Sequence, residues 1–571
     1  MLKRLTRRRQ SLIRLVITVC IAANVMGVLV LAGVPPVSRD ALNHHLAVPK
    51  LYLERGGLVE IPDCPYSYYP MNLDLLYLIP LYFGHDIVAK YIHFTFALAT
   101  ALLIFVYLRR KTDTTYALLG VLGFLSIPVI IKLSITVYVD LGLVFFSTAA
   151  LLFLLRWAET KFAPRYLILS AVFCGLALGT KYNALITVFL LTLFVPVIYL
   201  RKNRASGGQL RAVGYGAVYL LIALLIFSPW MARNYLWKGN PIYPLYESLF
   251  TPDDEPSSPM PGAVLPERNT KPAEGPGAGD TRDALPWGHF AYRHAVFGES
   301  GWEIALIPLR VFFQGKDDTP QYFDGVLNPG LLFLPFLAFV TIRRDNAFLR
   351  LEKSVFAAFA FGFLLFVFVR EDMRIRWIAP IIPPLVILSV FGIQAFFRIV
   401  NKNAGRVLRP CAKAGGLLVL GALFFLNIAY MAEQFVKVAP LTYISGKVTR
   451  DDYISRFRPA YRLHEYAGRY LPHDAIILGL FMGNRRYYSR RQMIFDAAFF
   501  KELVCRYDSA QTVADALGAR GITHLMLRQD LFERWATDNF NPAQLSNIEA
   551  LFSNHLTPLV TGGGYGLYQL K

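Results

Sequence analysis

Long apolar runs separated by short basic segments set the pattern of this chain. Runs at 12–34, 87–108, 141–155, 184–200, 213–230 and 377–397 are each long enough, or nearly so, to cross a bilayer core as a helix. Further apolar stretches lie near 115–131, 166–180, 326–342, 354–369 and 414–431. The pattern therefore predicts about eleven transmembrane helices.

Composition and charge agree with this interpretation. The chain is 55% hydrophobic and 17% charged, with a mean hydropathy of +0.41, whereas soluble proteins carry more charge. The net charge of +20 is concentrated in six short segments, 1–14, 109–111, 156–165, 201–211, 343–353 and 398–413. Because these segments alternate with the spans as cytoplasmic loops do, the basic excess reflects membrane topology and excludes a nucleic-acid partner.

The topology predicts a transmembrane domain over 1–431 and an extracytoplasmic α/β domain over 432–571, with the N-terminus in the cytoplasm. The first outer loop, 35–86, carries a predicted surface helix at 41–55 and a short apolar helix at 73–82. The second, 231–325, contains a Pro/Gly-rich segment at 251–286 that predicts a mobile lid or spacer. In the last domain, helices are predicted at 460–470 and 509–517, and strands at 475–480, 523–527 and 566–570. Two cysteines of the outer regions, Cys64 and Cys505, leave one disulfide open as an option.

Two acids stand where apolar spans meet the outer side. Asp40 follows the first span and Asp140 begins a later one. An acid at a span end is costly near lipid, so a catalytic role is one interpretation. The alternative is that each acid caps a helix, since aspartate is a good N-cap residue. Taken alone, capping is as strong an interpretation for Asp40 and the stronger one for Asp140.

Several short motifs, in order, resemble the GT-C class of membrane glycosyltransferases. The group in question contains the protein O-mannosyltransferases and the transferase that adds aminoarabinose to lipid A, the family 39-like glycosyltransferases. The motifs are Arg39-Asp40 with His44-His45, Tyr68-Tyr69-Pro70, Tyr138-Val139-Asp140, the segment 175–182, the segment 228–241 and Arg374-Ile375-Arg376-Trp377. The resemblance covers about residues 10–400. A single acid in the first loop, where some members have an acidic neighbour, is a departure from the pattern.

The resemblance implies a polyprenyl-phosphate-linked sugar as donor and transfer on the outer face of the membrane to a lipid, glycan or protein acceptor. Inversion at the anomeric carbon follows from direct displacement. Asp40 is then the base that accepts the acceptor's proton, with Asp140 as a second catalytic residue. Breaking the sugar–phosphate bond needs cations for the departing phosphate. The substrate-binding candidates are His44, His45, Tyr69, Lys181, Tyr182, Arg233, Arg374 and Arg376.

Other interpretations of the same residues stay open. Basic side chains at span ends often reach toward lipid headgroups, and the arginines at 485, 486, 490 and 491 are typical of a solvated face, although they could instead hold an anionic acceptor or headgroup. Adjacent histidines on an α-helix face different sides, so a joint metal site is not expected there. No cofactor is certain, and a divalent metal at Asp140 is the one option.

Two alternative functions use the same topology. A transporter or flippase of lipid-linked sugars would place charges near the bilayer midplane in matched halves. A non-catalytic envelope assembly factor would use the C-terminal domain and tolerate changes at both acids. The charges here crowd one face, which favours the enzyme. The expected location is a bacterial cytoplasmic membrane, with membrane lipids as partners.

Overall fold

The structure is a computed structural model that describes residues 2–203, 208–250, 288–403, 405 and 407–571. The predicted lid segment 251–286 lies outside these residues. The chain divides into two compact units. Unit 1 comprises Met1–Val34, Tyr69–Ile242 and His289–Leu441, and unit 2 comprises Pro35–Tyr68, Tyr243–Gly288 and Thr442–Lys571, within the described residues.

The regular secondary structure in the described parts of unit 1 is helical. Its α-helices are Leu2–Ala32, Asp74–Tyr82, Asp86–Lys111, Thr114–Leu125, Pro128–Ser134, Asp140–Glu159, Pro164–Leu178, Ala184–Lys202, Gly208–Lys238, His289–Phe297, Gly301–Ala305, Ile307–Arg310, Gly330–Val340, Ala347–Arg370, Ile382–Asn403 and Leu408–Val438. A 3-10 turn over Ile375–Ile381 leads into the last but one of these. The predicted polytopic helical fold is confirmed.

Among the described residues, eight helices are long and apolar enough to cross a membrane. The other predicted spans correspond to the two shorter apolar helices Pro164–Leu178 and Gly330–Val340 and to one bent pair. That pair, Thr114–Leu125 and Pro128–Ser134, is bent by 65°, so the apolar stretch predicted near 115–131 is broken into two helices. The cause is Pro128, which lacks a backbone donor and ends the preceding helix while starting the next.

Unit 2 is built around a five-stranded sheet. The strands are β1 (Ile476–Leu480), β2 (Gln492–Ile494), β3 (His524–Arg528), β4 (Leu556–Gly562) and β5 (Tyr565–Leu570), in the order β2-β1-β3-β5-β4. Strand β1 pairs in parallel with both β2 and β3, whereas β5 is antiparallel to β3 and β4. The α/β prediction is confirmed, although β2 and β4 were not anticipated.

Helices cover both faces of this sheet in unit 2. They are Arg450–Phe457, Tyr461–Tyr470, Ala497–Arg506, Ala510–Ala519, Gln529–Asn539 and Pro542–Ala550, followed by a π-helical turn over Leu551–His555. One apolar core contains Leu478, Leu525 and Phe532, and a second contains Ile477, Met493 and Met526. Consecutive residues of β1 thus point to opposite cores, as the period of two in a strand requires.

The predicted surface helix over 41–55 is two elements. A π-helical turn spans Ala41–His45, and an α-helix spans Ala47–Glu54. A helix lying on the membrane would turn its apolar residues toward lipid, whereas Leu42 and Leu46 are 2% and 0% exposed and are therefore buried in the protein. The helix at 73–82 appears as Asp74–Tyr82, whose nine residues are too few to span a bilayer.

Candidate active site

Asp140 and Lys181 form a buried ion pair in unit 1. Asp140 is the first residue of helix Asp140–Glu159 and is 0% exposed, and Lys181 Nζ donates to its Oδ1 at 2.7 Å. Its Oδ2 has no hydrogen-bond partner among the described residues. The N-cap position belongs to Val139, so the capping interpretation of Asp140 was wrong. The carboxylate is held by a cation and keeps one oxygen available.

Arg376 is the second cation that acts on this carboxylate. Its guanidinium lies 5.3 Å from the centre of the Tyr138 ring, and the Tyr138 carbonyl in turn accepts a short hydrogen bond from the Tyr77 hydroxyl. Arg374, two residues earlier, is 9% exposed and stacks over Trp377 at 5.0 Å. The two arginines of this motif therefore have different aromatic partners.

His93 fixes the backbone that leads into Asp140. It is 0% exposed on helix Asp86–Lys111, and its Nε2 accepts from the Leu141 amide at 3.0 Å. Its Nδ1 lies 3.0 Å from the carbonyl oxygens of both Leu133 and Thr136. These contacts require a neutral ring with its proton on Nδ1. A single histidine thus ties the end of one helix to the start of the next.

Arg233 lies near the end of helix Gly208–Lys238 within a polar and aromatic cluster. Its Nη2 donates to the Tyr69 carbonyl at 3.1 Å and to Asn234 Oδ1 at 2.9 Å. The guanidinium also lies 4.6 Å from the Trp230 ring and 5.0 Å from the Trp237 ring. Stacking on two indoles holds an arginine in one orientation and keeps its charge in a partly desolvated place.

Tyr182 joins this cluster to the segment that carries Lys181. Asn234 Nδ2 donates to the Tyr182 hydroxyl at 3.3 Å, and the Tyr69 and Tyr182 rings lie 5.5 Å apart. Since Tyr182 follows Lys181 directly, the Arg233 cluster and the Asp140 ion pair are connected through adjacent residues. The structure thus brings together six predicted site residues of unit 1: Tyr69, Asp140, Lys181, Tyr182, Arg233 and Arg376.

Asn72 links the helix that carries Arg233 to the segment that precedes Lys181. Its Oδ1 accepts from Trp230 Nε1 at 2.8 Å, and its Nδ2 donates to the Leu176 carbonyl at 3.2 Å. Its own amide donates to the Gly179 carbonyl at 2.9 Å. A Cβ added at Gly179 would lie 2.3 Å from Asn72 Nδ2, so the close approach of these two segments requires glycine.

Asp40, His44 and His45 belong to unit 2. Asp40 precedes the π-helical turn Ala41–His45 but makes no side-chain capping hydrogen bond to it, so the capping interpretation of Asp40 was also wrong. The His44 and His45 rings lie 4.0 Å apart, and His44 stacks on Tyr66 at 4.5 Å. The two rings therefore contact each other at 50° between their planes, although adjacent residues of a helix project in different directions.

The residues around Asp140 supply few ligands for a divalent cation. A site built by the protein alone needs several oxygen or imidazole ligands, whereas this carboxylate is paired with Lys181 and faces Arg376. Among the described residues, no group of three or more His, Cys, Asp and Glu side chains could hold a metal ion. Cys64 and Cys505 are both free thiols.

Three residues of the site were missed from the sequence: Asn72, Tyr77 and His93. Each is a lone polar or aromatic residue in or beside an apolar helix. His93 is the one with a local signal, because an ionisable residue within an apolar span is a functional candidate by default.

Comparisons with known proteins place this geometry in a known fold. Residues 75–232 match the family model described as dolichyl-phosphate-mannose-protein mannosyltransferase. No curated protein matches the sequence. The fold is similar to that of ArnT from Cupriavidus metallidurans in the apo state, at 12% identity and a TM-score of 0.58, over 96% of this chain and 97% of that chain.

Two further solved structures are similar to this fold. ArnT from Cupriavidus metallidurans bound to undecaprenyl phosphate matches at 13% identity and a TM-score of 0.56, with 96% of this chain and 97% of that chain covered. The oligosaccharyltransferase of Archaeoglobus fulgidus tethered with an acceptor peptide matches at 10% identity and a TM-score of 0.51, over 97% and 74% of the two chains. The predicted resemblance to the GT-C class of membrane glycosyltransferases is therefore confirmed.

Proposed function

We propose that this protein is a membrane glycosyltransferase that moves a sugar from a polyprenyl-phosphate donor to a hydroxyl of a lipid, glycan or protein acceptor. The transfer takes place on the outer face of a bacterial cytoplasmic membrane, with the N-terminus in the cytoplasm and the C-terminal α/β domain outside. Membrane lipids surround the spans. The similar fold of an ArnT whose structure contains undecaprenyl phosphate supports the donor class.

The observation that carries the proposal is the set of cations at the ends of apolar helices. Lys181 and Arg376 act on the buried Asp140, and Arg233 is held between two tryptophans next to Tyr182. A lipid phosphate that leaves the sugar gains negative charge, and guanidinium and ammonium groups stabilise that charge most strongly where water is scarce. Arg374 adds a fourth cation on the same chain segment as Arg376.

In the proposed reaction the acceptor oxygen attacks the anomeric carbon while the bond from that carbon to the phosphate oxygen breaks. The bonding electrons leave with the phosphate, and the Asp40 carboxylate accepts the hydroxyl proton. One displacement inverts the anomeric configuration. Asp40 is the candidate because a general base needs a carboxylate or similar acceptor on the side where the acceptor hydroxyl arrives, and Asp40 lies in the first outer loop of the predicted topology. His44 and His45 lie on that same turn and are the adjacent candidates for contact with the acceptor.

The test is transfer from radiolabelled polyprenyl-phosphate sugars by the purified protein, reconstituted with membranes that hold candidate acceptors. The variants are Asp40→Asn and, as a matched control, Asp474→Asn at an exposed position of the same unit. We expect Asp40→Asn to lose transfer by roughly 10²-fold or more, the usual contribution of a general base, and the control to keep it. The anomeric configuration of the product, read by NMR, tests inversion.

Three other results would contradict the proposal in different ways. Full activity of Asp40→Asn removes Asp40 as the base. Movement of intact lipid-linked sugar across the vesicle membrane, with no covalent product, indicates a transporter. Unchanged cellular function after alanine substitution of both Asp40 and Asp140 indicates an assembly factor.

A further inference from the structure

Unit 2 contains a cavity of about 320 Å³ beside the carboxyl ends of strands β1 and β3. Its lining includes the side chains of Arg458, Arg485, Arg528, His464, Tyr461 and Tyr488. A volume of this size is at the lower end of the range that holds small organic ligands. Asp530 also lines it, so three arginines and several aromatic rings share this small space with one acid.

The cavity lies where ligands of open α/β sheets commonly bind. Arg485 follows the carboxyl end of β1, and Arg528 is the last residue of the parallel neighbour β3. Tyr565, which opens the antiparallel β5, pairs with Arg528 at the same edge. The crevice outside the carboxyl ends of parallel strands is the usual ligand position in such sheets. The location therefore supports a binding site independently of its charge.

The arginines of the cavity are not equally compensated. Arg528 forms two hydrogen bonds with the Asp530 carboxylate, at 2.7 and 2.9 Å. Arg458 donates through Nε to the Val37 carbonyl at 2.7 Å. Arg485, in contrast, has no hydrogen-bond partner at Nε within the described residues. Its charge is the one that a bound anion would compensate.

The surroundings of Arg485 are themselves positive. Burial and the neighbouring guanidiniums of Arg458, Arg39 and Arg528 lower the pKa of Arg485 to about 10, so it stays protonated at neutral pH. Repulsion among these neighbouring cations carries an electrostatic cost. An anion removes that cost by forming charge-assisted hydrogen bonds with the guanidiniums.

His464 and two tyrosines complete the lining. His464 is 5% exposed, and its Nδ1 has no hydrogen-bond partner within the described residues. The Tyr461 hydroxyl donates to Asp451 at 2.7 Å and the Tyr488 hydroxyl donates to the Pro36 carbonyl at 2.8 Å. With both hydroxyls engaged, the rings offer their apolar carbon surface to the cavity, which suits the C–H face of a sugar.

The cavity is continuous with the segment that carries the proposed base. Leu42 lines it, and the Leu42 carbonyl accepts from the amides of Arg486 and Tyr487 at 3.2 and 3.1 Å. The side-chain amide of Asn43, oriented with its nitrogen toward the loop that contains Gly483, donates to the Gly483 carbonyl at 2.9 Å. Asp40 is two residues before Leu42. The turn after Asp40 and the loop that presents Arg485 are thus joined by backbone hydrogen bonds.

Arg486 and Arg491 have structural roles beside the cavity. Arg486 Nη1 bonds Asp63 at 2.7 Å, and Arg491 Nη2 bonds the Leu471 carbonyl at 2.6 Å. Both are buried, at 9% and 8% exposure, so the expectation of a solvated face was wrong for them. Lys50 bonds the carbonyls of Tyr487 and Ser489 at 2.9 and 2.6 Å. These contacts fix the loop and leave Arg485 to face the cavity.

We propose that this cavity binds a phosphorylated saccharide, with Arg485 and Arg458 on the phosphate and the Tyr461 and Tyr488 rings against the sugar. Resting on the proposed function, it holds the acceptor of the transfer on the same unit as Asp40. The phosphate could belong to a saccharide, to a phospholipid headgroup or to free phosphate, and the aromatic lining favours the saccharide.

The test is titration calorimetry of the full-length protein in detergent with glucose 1-phosphate as the probe. The variants are Arg485→Met, Arg485→Lys and, as a matched control, Arg534→Met at an exposed position of the same unit. We expect Arg485→Met to weaken binding roughly tenfold or more, because a charge-assisted hydrogen bond is lost. Arg485→Lys keeps the charge and should weaken binding less. The control should bind as the natural protein does.

Competition distinguishes the possible sources of the phosphate. Glucose 1-phosphate should bind more tightly than inorganic phosphate, glucose or soluble dihexanoyl phosphatidylglycerol. Equal binding of inorganic phosphate, or equal binding of the phospholipid, would overturn the assignment to a saccharide. Thermal unfolding of each variant shows whether it is folded. If Arg485→Met proves unfolded, Arg485→Lys decides, and binding unchanged in a folded Arg485 variant would overturn the proposal.

Asp40→Asn separates this inference from the proposed function. It should lose transfer and still bind glucose 1-phosphate with the affinity of the natural protein. Arg485-dependent binding without any transfer by the natural protein would support the cavity and contradict the transferase. Transfer without Arg485-dependent binding would support the transferase and contradict the proposal for the cavity.

Discussion

Lys181 donates a 2.7 Å hydrogen bond to the carboxylate of Asp140, a residue with no solvent exposure at the start of an apolar helix. Such a pair is costly to assemble, because both charges lose hydration, and it is costlier still to break. Asp140 Oδ2 has no hydrogen-bond partner among the described residues, so the pair is not saturated. This combination of burial and incomplete bonding is more typical of a functional site than of a purely structural ion pair.

Lys181→Met should therefore cost both stability and activity. It leaves the Asp140 carboxylate buried beside one cation fewer, and breaking a buried ion pair in this way costs about 3 kcal/mol. We expect a lower unfolding temperature of the purified protein and loss of transfer. Lys437→Met, which removes an exposed lysine paired with Glu433, is the matched control and should change neither.

The double variant Lys181→Met/Asp140→Asn separates the two effects. Removal of the carboxylate relieves the uncompensated charge, so most of the lost stability should return. Transfer should stay low if the pair acts on the substrate. Recovery of transfer together with stability would show that the pair has a structural role alone.

Arg233→Lys should weaken use of the lipid-phosphate donor. Lysine keeps the charge but cannot stack on Trp230 and Trp237 or bond the Tyr69 carbonyl and Asn234 together. We expect kcat/KM for the donor to fall roughly tenfold, the effect of one lost charge-assisted contact, through a higher KM and a lower kcat, since the phosphate gains charge as it leaves. Arg165→Lys is the control, since Arg165 stacks on Tyr166 at an exposed position. An unchanged kcat/KM would remove Arg233 from the donor site.

The transmembrane architecture could be predicted because the apolar runs report it directly. Hydropathy gives the span 184–200 its position within a few residues of helix Ala184–Lys202. Hydropathy did not reveal the bend before Pro128, because it averages over the residues on both sides of the break. The proline was nevertheless a local signal of that break.

In the α/β domain, the missed strands share a physical reason. Strand β2 has three residues, too few for an alternating pattern, and β4 contains Pro558. Both are edge strands, where short length and proline are tolerated because one side makes no ladder hydrogen bonds. Propensity within the chain could not reveal strands that depend on the neighbours β1 and β5.

The charged residues of the candidate site could be predicted from the sequence, whereas its neutral residues could not. Asp140, Lys181 and Arg376 stand out as charged residues at span ends, and the structure gathers them. Asn72 and Tyr77 act through contacts distant in sequence, with Trp230 and the Tyr138 carbonyl. One sequence gives no indication of which distant groups will meet.

Gly179→Ala should disturb the site from a position with no chemistry of its own. The new Cβ would lie 2.3 Å from Asn72 Nδ2, and Asn72 cannot move freely because it bonds both Trp230 and the Leu176 carbonyl. Overpacking of this kind costs about 1–3 kcal/mol. Gly214→Ala is the control, since a Cβ there meets nothing within 4 Å. The unfolding temperature and the transfer rate should both fall for Gly179→Ala and stay unchanged for Gly214→Ala. Equal values for the two variants would contradict the close approach.

His464 should make the stability of the protein depend on pH below neutrality. Burial, with the positive charges of Lys50 and Arg485 facing the ring, lowers the pKa of His464 to about 4 from an ordinary value of 6.5. As pH falls, the unfolded chain therefore binds the proton first, and stability rises with pH across this interval. The contribution of the neutral ring is complete above pH 6.5 and is lost as the pH falls toward 4, by on the order of 3 kcal/mol.

The measurement is thermal unfolding from pH 4.5 to 7.5 of the natural protein, His464→Leu and His473→Leu, the last changing an exposed histidine of the same unit. The natural protein and the control should lose stability in parallel as the solution is acidified. His464→Leu should lose less, because its unfolded state no longer gains that proton. A saturating anion in the cavity should reduce the difference, since a negative charge beside the ring favours its protonated form. Identical pH profiles for all three proteins would contradict the burial of a neutral His464.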